Sequence, residues 1–289
     1  MRALLLISVT LALPAAAQCE GRAYRVLMGT ANSYPTSAES IDAALKTPNF
    51  VNTFAGFANS QFNKVPVAAR NGDSGYRVIA HVLGSGLKWR EAFVGHFRVP
   101  NKDYSSVEDD PEGVGYFTSE GWLQQYAGNE PDGYLLGAAN RILQNTIGYD
   151  RVASANNSAA GLPNNAEGRR APACTGCHYD GPYALDFIAR VLPRKRVSPQ
   201  GSVTFVPAPP APQPILNTSL STQRELLETL VDSEAFRFAS CRLAFKFVFG
   251  REEYSCEAEL FDRCVDVFTE TGMMQDAIKT LVTDKGFCW

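Results

Sequence analysis

Apolar positions recur at helical spacing along most of this chain. Val78, Ile79, Val82 and Leu83 mark one helix, which Gly84-Ser85-Gly86 interrupts, and Trp89, Phe93, Val94 and Phe97 mark a second, shorter one. Ser37-Ala38-Glu39-Ser40 ahead of Ile41, Ala44 and Leu45 predicts a short capped helix. Phe50, Phe54, Phe57 and Phe62 read as core or as the wall of a cofactor pocket. Ser119 to Tyr126 and Gly133 to Ile147 look helical, the second with Leu135, Leu136, Ala139, Ile142, Leu143 and Ile147 on one face. Asn101 to Gly115 is acidic and turn-rich, and Tyr183 to Leu192 reads as a short helix. The last segment predicts helices over Ser221–Val231, Ser233–Phe249, Glu257–Thr271 and Met274–Thr283, with Gly250 as a C-cap.

Five prolines between Pro207 and Pro214 break this pattern and predict an extended, semi-rigid spacer. The expected fold is all-α. A helical region over 18–195 precedes a Pro-rich linker over 196–217, and a small C-terminal helical bundle occupies 218–289. Nothing repeats at a fixed period.

The N-terminus adds a compartment. Arg2, an apolar run from Ala3 to Leu13 and Ala15-Ala16-Ala17 form the pattern of a secretory signal peptide over 1–17, with a mature start near Gln18. That run is too short for a spanning helix, which needs about 20 residues, and no later run approaches that length. The expected location is periplasmic or secreted, with no transmembrane segment. Cys19 lies next to the cut, but Gln18 is a poor residue to precede a lipid-modified cysteine.

Hydrophobic content of 45%, charged content of 20% and a net charge of −3 are those of an ordinary globular protein, and the absence of a long basic run argues against a nucleic-acid partner. Arg190 with Arg194-Lys195-Arg196 reads as a solvated helix end, or as a patch that steers an acidic redox partner. The acidic loop 108–112 is a second candidate docking surface.

The chemistry lies in Cys174-Thr175-Gly176-Cys177-His178. Cys-x-x-Cys-His is the attachment signature of c-type haem. Two thiols add across the porphyrin vinyl groups, and the histidine after the second is placed to ligate the iron from one face. The expected cofactor is therefore one covalent haem c, held by Cys174, Cys177 and His178. A thioredoxin-like dithiol would want a strand before the motif, and Asn156 to Ala173 predicts none. A zinc site would want two further ligands at short spacing, and none follows within about 20 residues.

The second iron ligand separates electron carriers from ligand binders. The candidates are His96, which leads because Phe93, Val94 and Phe97 surround it in sequence, then His81, Met273, Met274 and Met28, or no ligand at all. The sequence favours a monohaem electron carrier that works with an unidentified redox partner protein. The alternative is a peroxidase-like enzyme or small-ligand sensor with an open face, in which His81 with Arg77, or His96 with Arg98 or Glu91, would stand over the iron. A two-haem peroxidase would need a second attachment motif, and there is only one.

Export makes disulfide candidates of the remaining cysteines: Cys19, Cys241, Cys256, Cys264 and Cys288. The preferred pairing is Cys241–Cys256 with Cys264–Cys288. The competitor is Cys241–Cys264, which two antiparallel helices turning around residues 252–253 would bring face to face.

Several runs resemble a set of bacterial secreted cytochrome-c-like proteins, in which a haem-motif domain of unknown function precedes a small helical domain. The likeness is carried by Ala171-Pro172-Ala173-Cys174-Thr175-Gly176-Cys177-His178 with Asp180-Gly181-Pro182, by Phe238-Ala239-Ser240-Cys241 through Phe249-Gly250-Arg251, and by Ala277 to Phe287. Trp89 to Gly95, running on to Asn101, is similar to a further helix of that family. The resemblance covers roughly residues 75–289. It implies a cytochrome-c-like helical haem domain and a redox-active haem, and it implies no reaction. The basic, Pro-rich stretch after the motif departs from the family's acidic, Gly-rich one.

Overall fold

The computed structural model describes residues 15–29, 38–63, 74–99, 106–126, 132–149, 165–181 and 183–288. Most of the expected signal peptide and the approach to the haem motif as far as Asn164 lie outside the described residues. The first half carries α1 (Ala15–Met28), α2 (Ala38–Ala44), α3 (Pro48–Phe62), α4 (Ser74–Gly84) and α5 (Glu91–Val94). A short hairpin of β1 (Phe97–Arg98) and β2 (Glu108–Asp109) follows, then a 3₁₀ turn at Gly115–Thr118, α6 (Glu120–Gln125) and α7 (Leu136–Ile147). The motif region holds a 3₁₀ turn at Gly168–Arg170, α8 (Pro172–His178) and α9 (Leu185–Val191). The chain closes with α10 (Gln223–Val231), α11 (Glu234–Phe249), α12 (Ala258–Thr271) and α13 (Met274–Val282). The described residues are mostly helical, as the apolar spacing predicts.

Local chemistry sets the helix ends. Thr47, Thr222 and Ser233 each accept a hydrogen bond from the backbone N–H three residues on, which opens α3, α10 and α11. Gly250 and Gly272 take left-handed conformations (φ 73° and 68°) and close α11 and α12.

Helix α11 explains how the halves join. Phe236, Phe238, Phe245, Phe247 and Phe249 point around its whole circumference, so one packing partner cannot bury it. It packs on α12 and α13 on one side and on α7, α3 and α1 on others. Phe247 meets Phe54 at 5.0 Å between ring centroids, and Phe236 meets Phe93 at 5.7 Å. Phe54 and Phe93 each contact Trp89, so one apolar cluster runs through residues on both sides of the 196–217 segment.

That segment is more ordered than an extended spacer. β3 (Arg194–Val197) pairs antiparallel with β4 (Val203–Val206), and β5 (Gln213–Ile215) with β6 (Thr218–Leu220). Leu216 and Asn217 both have positive φ (55° and 60°), the two-residue turn that matches hairpin twist. Ile215 and Leu220 are buried, and β5 packs on α9. Residues 198–202 form the turn of the first hairpin, and the stretch around Pro207–Pro212 is free of regular structure. Arg194, Lys195 and Arg196 consequently lie on a hairpin strand rather than at a helix end.

The preferred disulfide pairing is corrected. Cys241 on α11 and Cys264 on α12 are bonded to each other, with Cα atoms 6.0 Å apart, and Cys256 is an exposed free thiol. The two helices run back past each other across the Ser255–Glu257 turn, the arrangement on which the competing pair depends. The side chains of Cys19 and Cys288 lie outside the described residues.

Candidate haem-attachment site

Helix α8 begins at Pro172, whose missing N–H costs nothing at the first helical position. The backbone N–H groups of Cys174 and Thr175 donate to Ala171 O at 2.8 and 2.9 Å, and those of Tyr179 and Asp180 both close on Thr175 O at 2.8 Å. Spacing of three and four residues puts Cys174, Cys177 and His178 on one face of the helix. Both thiols are free, Cys174 half-buried and Cys177 exposed. No residue of α8 is buried, and a Cβ added at Gly176 would meet no atom within 4 Å. Among the described residues, helix α8 therefore leaves room at its surface for a flat, apolar group.

The inner side is polar and closed. Asp186, in the first turn of α9, is 5% exposed and receives three neighbours of the motif. His178 Nδ1 lies 2.7 Å from Oδ2. Arg169 Nε donates to both carboxylate oxygens at 3.1 Å and Nη2 to Oδ1 at 2.9 Å, while Tyr179 Oη donates to Oδ1 at 2.9 Å. Burial raises the Asp186 carboxyl, but hydrogen bonds from His178, Arg169 and Tyr179 outweigh it and bring the pKa down to about 2. The Tyr179 hydroxyl is pushed up, first by burial and then by its bond to Asp186, so it stays a donor. The Arg170 guanidinium covers the Tyr179 ring at 4.0 Å.

A carboxylate only accepts, so Nδ1 of His178 donates to it, and Nε2 is the ring nitrogen left to face an iron. No hydrogen bond engages Nε2 among the described residues. Two free thiols, an imidazole nitrogen that no described residue engages and a helix with no buried residue make a donor set that fits covalent haem. Among the described residues no cluster of three or more His, Cys, Asp or Glu side chains is arranged to hold a bare metal ion.

The other expected ligands lie on other elements. Helix α8 packs on the Gly168–Arg170 turn and α9, whereas α4, which carries His81, packs on α3, α5 and α6. The His81 ring stands edge-on to Phe97 at 5.0 Å, and its pKa is lowered by burial, against the pull of Asp109. Met28 Sδ accepts from the Thr47 hydroxyl at 3.4 Å, and Met274 is fully buried at the start of α13 with Met273 before it. His96 is exposed, its Nδ1 2.9 Å from Pro111 O and its Nε2 3.4 Å from Arg224 Nη1, so both ring nitrogens are engaged. Arg98 pairs with Glu108 and Asp110. The structure thus joins His96 to Arg224 rather than to Arg98 or Glu91.

Asp186, Arg169 and Tyr179 were not singled out by the motif. A signal for Asp186 was present: it is the lone acid in the apolar run Tyr183 to Val191, eight residues after the histidine. No family model, curated protein or solved structure matches the chain.

Proposed function

We propose that this chain is an exported monohaem c-type cytochrome that transfers electrons through a covalent haem held by Cys174, Cys177 and His178. The observation that carries the reading is the His178–Asp186 hydrogen bond inside a Cys-x-x-Cys-His helix. It fixes the ring orientation and leaves Nε2 as the one free donor, which is what an axial ligand requires. Cys174 and Cys177 anchor on the same face, and Arg169 and Tyr179 hold the carboxylate that holds the histidine. Bound there, haem supplies a one-electron iron couple. Because α8 has no buried residue, a group attached to it keeps an edge near the surface, within reach of a partner protein.

The second reading, an enzyme or sensor with an open iron face, draws support from two observations. Helices α4 and α13 pack away from α8, and both nitrogens of His96 are already engaged. Carbon monoxide separates the two readings. An exported, matured protein whose reduced spectrum ignores carbon monoxide has two strong ligands and supports the carrier; a spectrum that shifts supports the open face.

A further inference from the structure

We infer that Asp186 is a positioning residue that makes His178 an unusually strong electron donor and so holds the iron couple at a low reduction potential. The inference rests on the haem reading above.

The argument starts from where the negative charge sits. A neutral backbone carbonyl would suffice to orient an Nδ1–H. Here the acceptor is a carboxylate at 2.7 Å, a charge-assisted bond of the stronger kind. Asp186 is 5% exposed, so little water screens its field at the ring. Its charge draws the Nδ1 proton away from the imidazole and raises electron density at Nε2. An electron-rich axial nitrogen favours the ferric over the ferrous state, and second-shell hydrogen bonding is one of the levers that set haem potentials.

The surroundings keep that charge in place. Arg169, 7% exposed, clamps the carboxylate from the Gly168–Arg170 turn through three contacts, and Tyr179 adds a fourth from the end of α8. Two backbone segments, the turn before the motif and the end of α8, therefore converge on one side chain of α9. Arg169 also withdraws charge from the carboxylate, so the two residues act on His178 with opposite sign.

The test is a midpoint-potential titration with dithionite and mediators on the full, haem-loaded protein and two variants. Asp186→Asn keeps the shape and an acceptor oxygen but removes the charge. Its midpoint should rise, so that at the wild-type midpoint the ferrous-to-ferric ratio increases at least about tenfold, equivalent to about 59 mV for one electron. Arg169→Gln leaves the carboxylate less neutralised and should move the midpoint down. An unmoved midpoint in Asp186→Asn, or movement of both variants in the same direction, overturns the inference. If Asp186→Asn does not mature, the sign for Arg169→Gln decides alone: a fall supports the inference, and a rise or no change overturns it. Lack of covalent haem in the wild-type protein would overturn the cytochrome reading itself, and a loaded protein with unmoved potentials overturns only the role of Asp186.

Discussion

Asp186 carries both the geometry and the stability of the motif region. Asp186→Ala deletes the buried carboxylate that pairs with the buried Arg169 and should cost about 3 to 5 kcal/mol, read from urea midpoints of the apoprotein. The pH dependence follows from a carboxyl held near 2 against an ordinary 3.8. A depressed acid contributes its stability above the ordinary pKa and loses it as pH falls through the folded value. The wild-type apoprotein should therefore lose about 2 kcal/mol more than Asp186→Ala between pH 4 and pH 2. Parallel stability curves for the two proteins across that window would contradict the assignment. That Cys174, Cys177 and His178 share one helix face was legible because they are three and four residues apart. Their support was not, since the Asp186 contact joins two helices and the Arg169 contact spans 17 residues.

At the scale of elements, chain-local signals fared best. Ser233, Thr222, Gly250 and Gly272 mark the ends of α10, α11 and α12 within a residue or two of where the apolar spacing puts them. Ser233→Ala removes the α11 cap and should cost about 1 kcal/mol in thermal or chemical unfolding. Proline content concealed the two hairpins over 194–220, because their register depends on Ile215 and Leu220 finding the core. Cysteine pairing was open for the same reason: it depends on which helix faces which. Peptide mapping without reduction should return a Cys241–Cys264 bridge and a Cys256 that takes an alkylating reagent. Cys241→Ser should lower stability by about 3 kcal/mol, whereas Cys256→Ser should leave it unchanged. A Cys241–Cys256 peptide would contradict the structure.

Across the whole molecule, the two halves expected from the linker share one core. Phe236 on α11 lies against Phe93 and also against Phe268 of α12, so it bridges the regions before and after the hairpins. Phe236→Ala should cost about 3 to 5 kcal/mol. Thermal unfolding should proceed in one cooperative step that monitors in either half report together. Two separated transitions would restore independent domains. The aromatic residues of this core were legible as buried, but not as shared, because sequence spacing assigns a face to a helix and leaves its neighbour undetermined.

The cytochrome reading depends most directly on whether the motif carries its cofactor. The decisive measurement is intact mass and reduced alkaline-pyridine spectrum of the exported protein, produced with the haem-attachment machinery and then denatured. The account predicts one haem that stays with the chain on denaturation and is lost in the double variant Cys174→Ala, Cys177→Ala. A chain that leaves export without covalent haem, with Cys174 and Cys177 as free thiols or joined to each other, would contradict it.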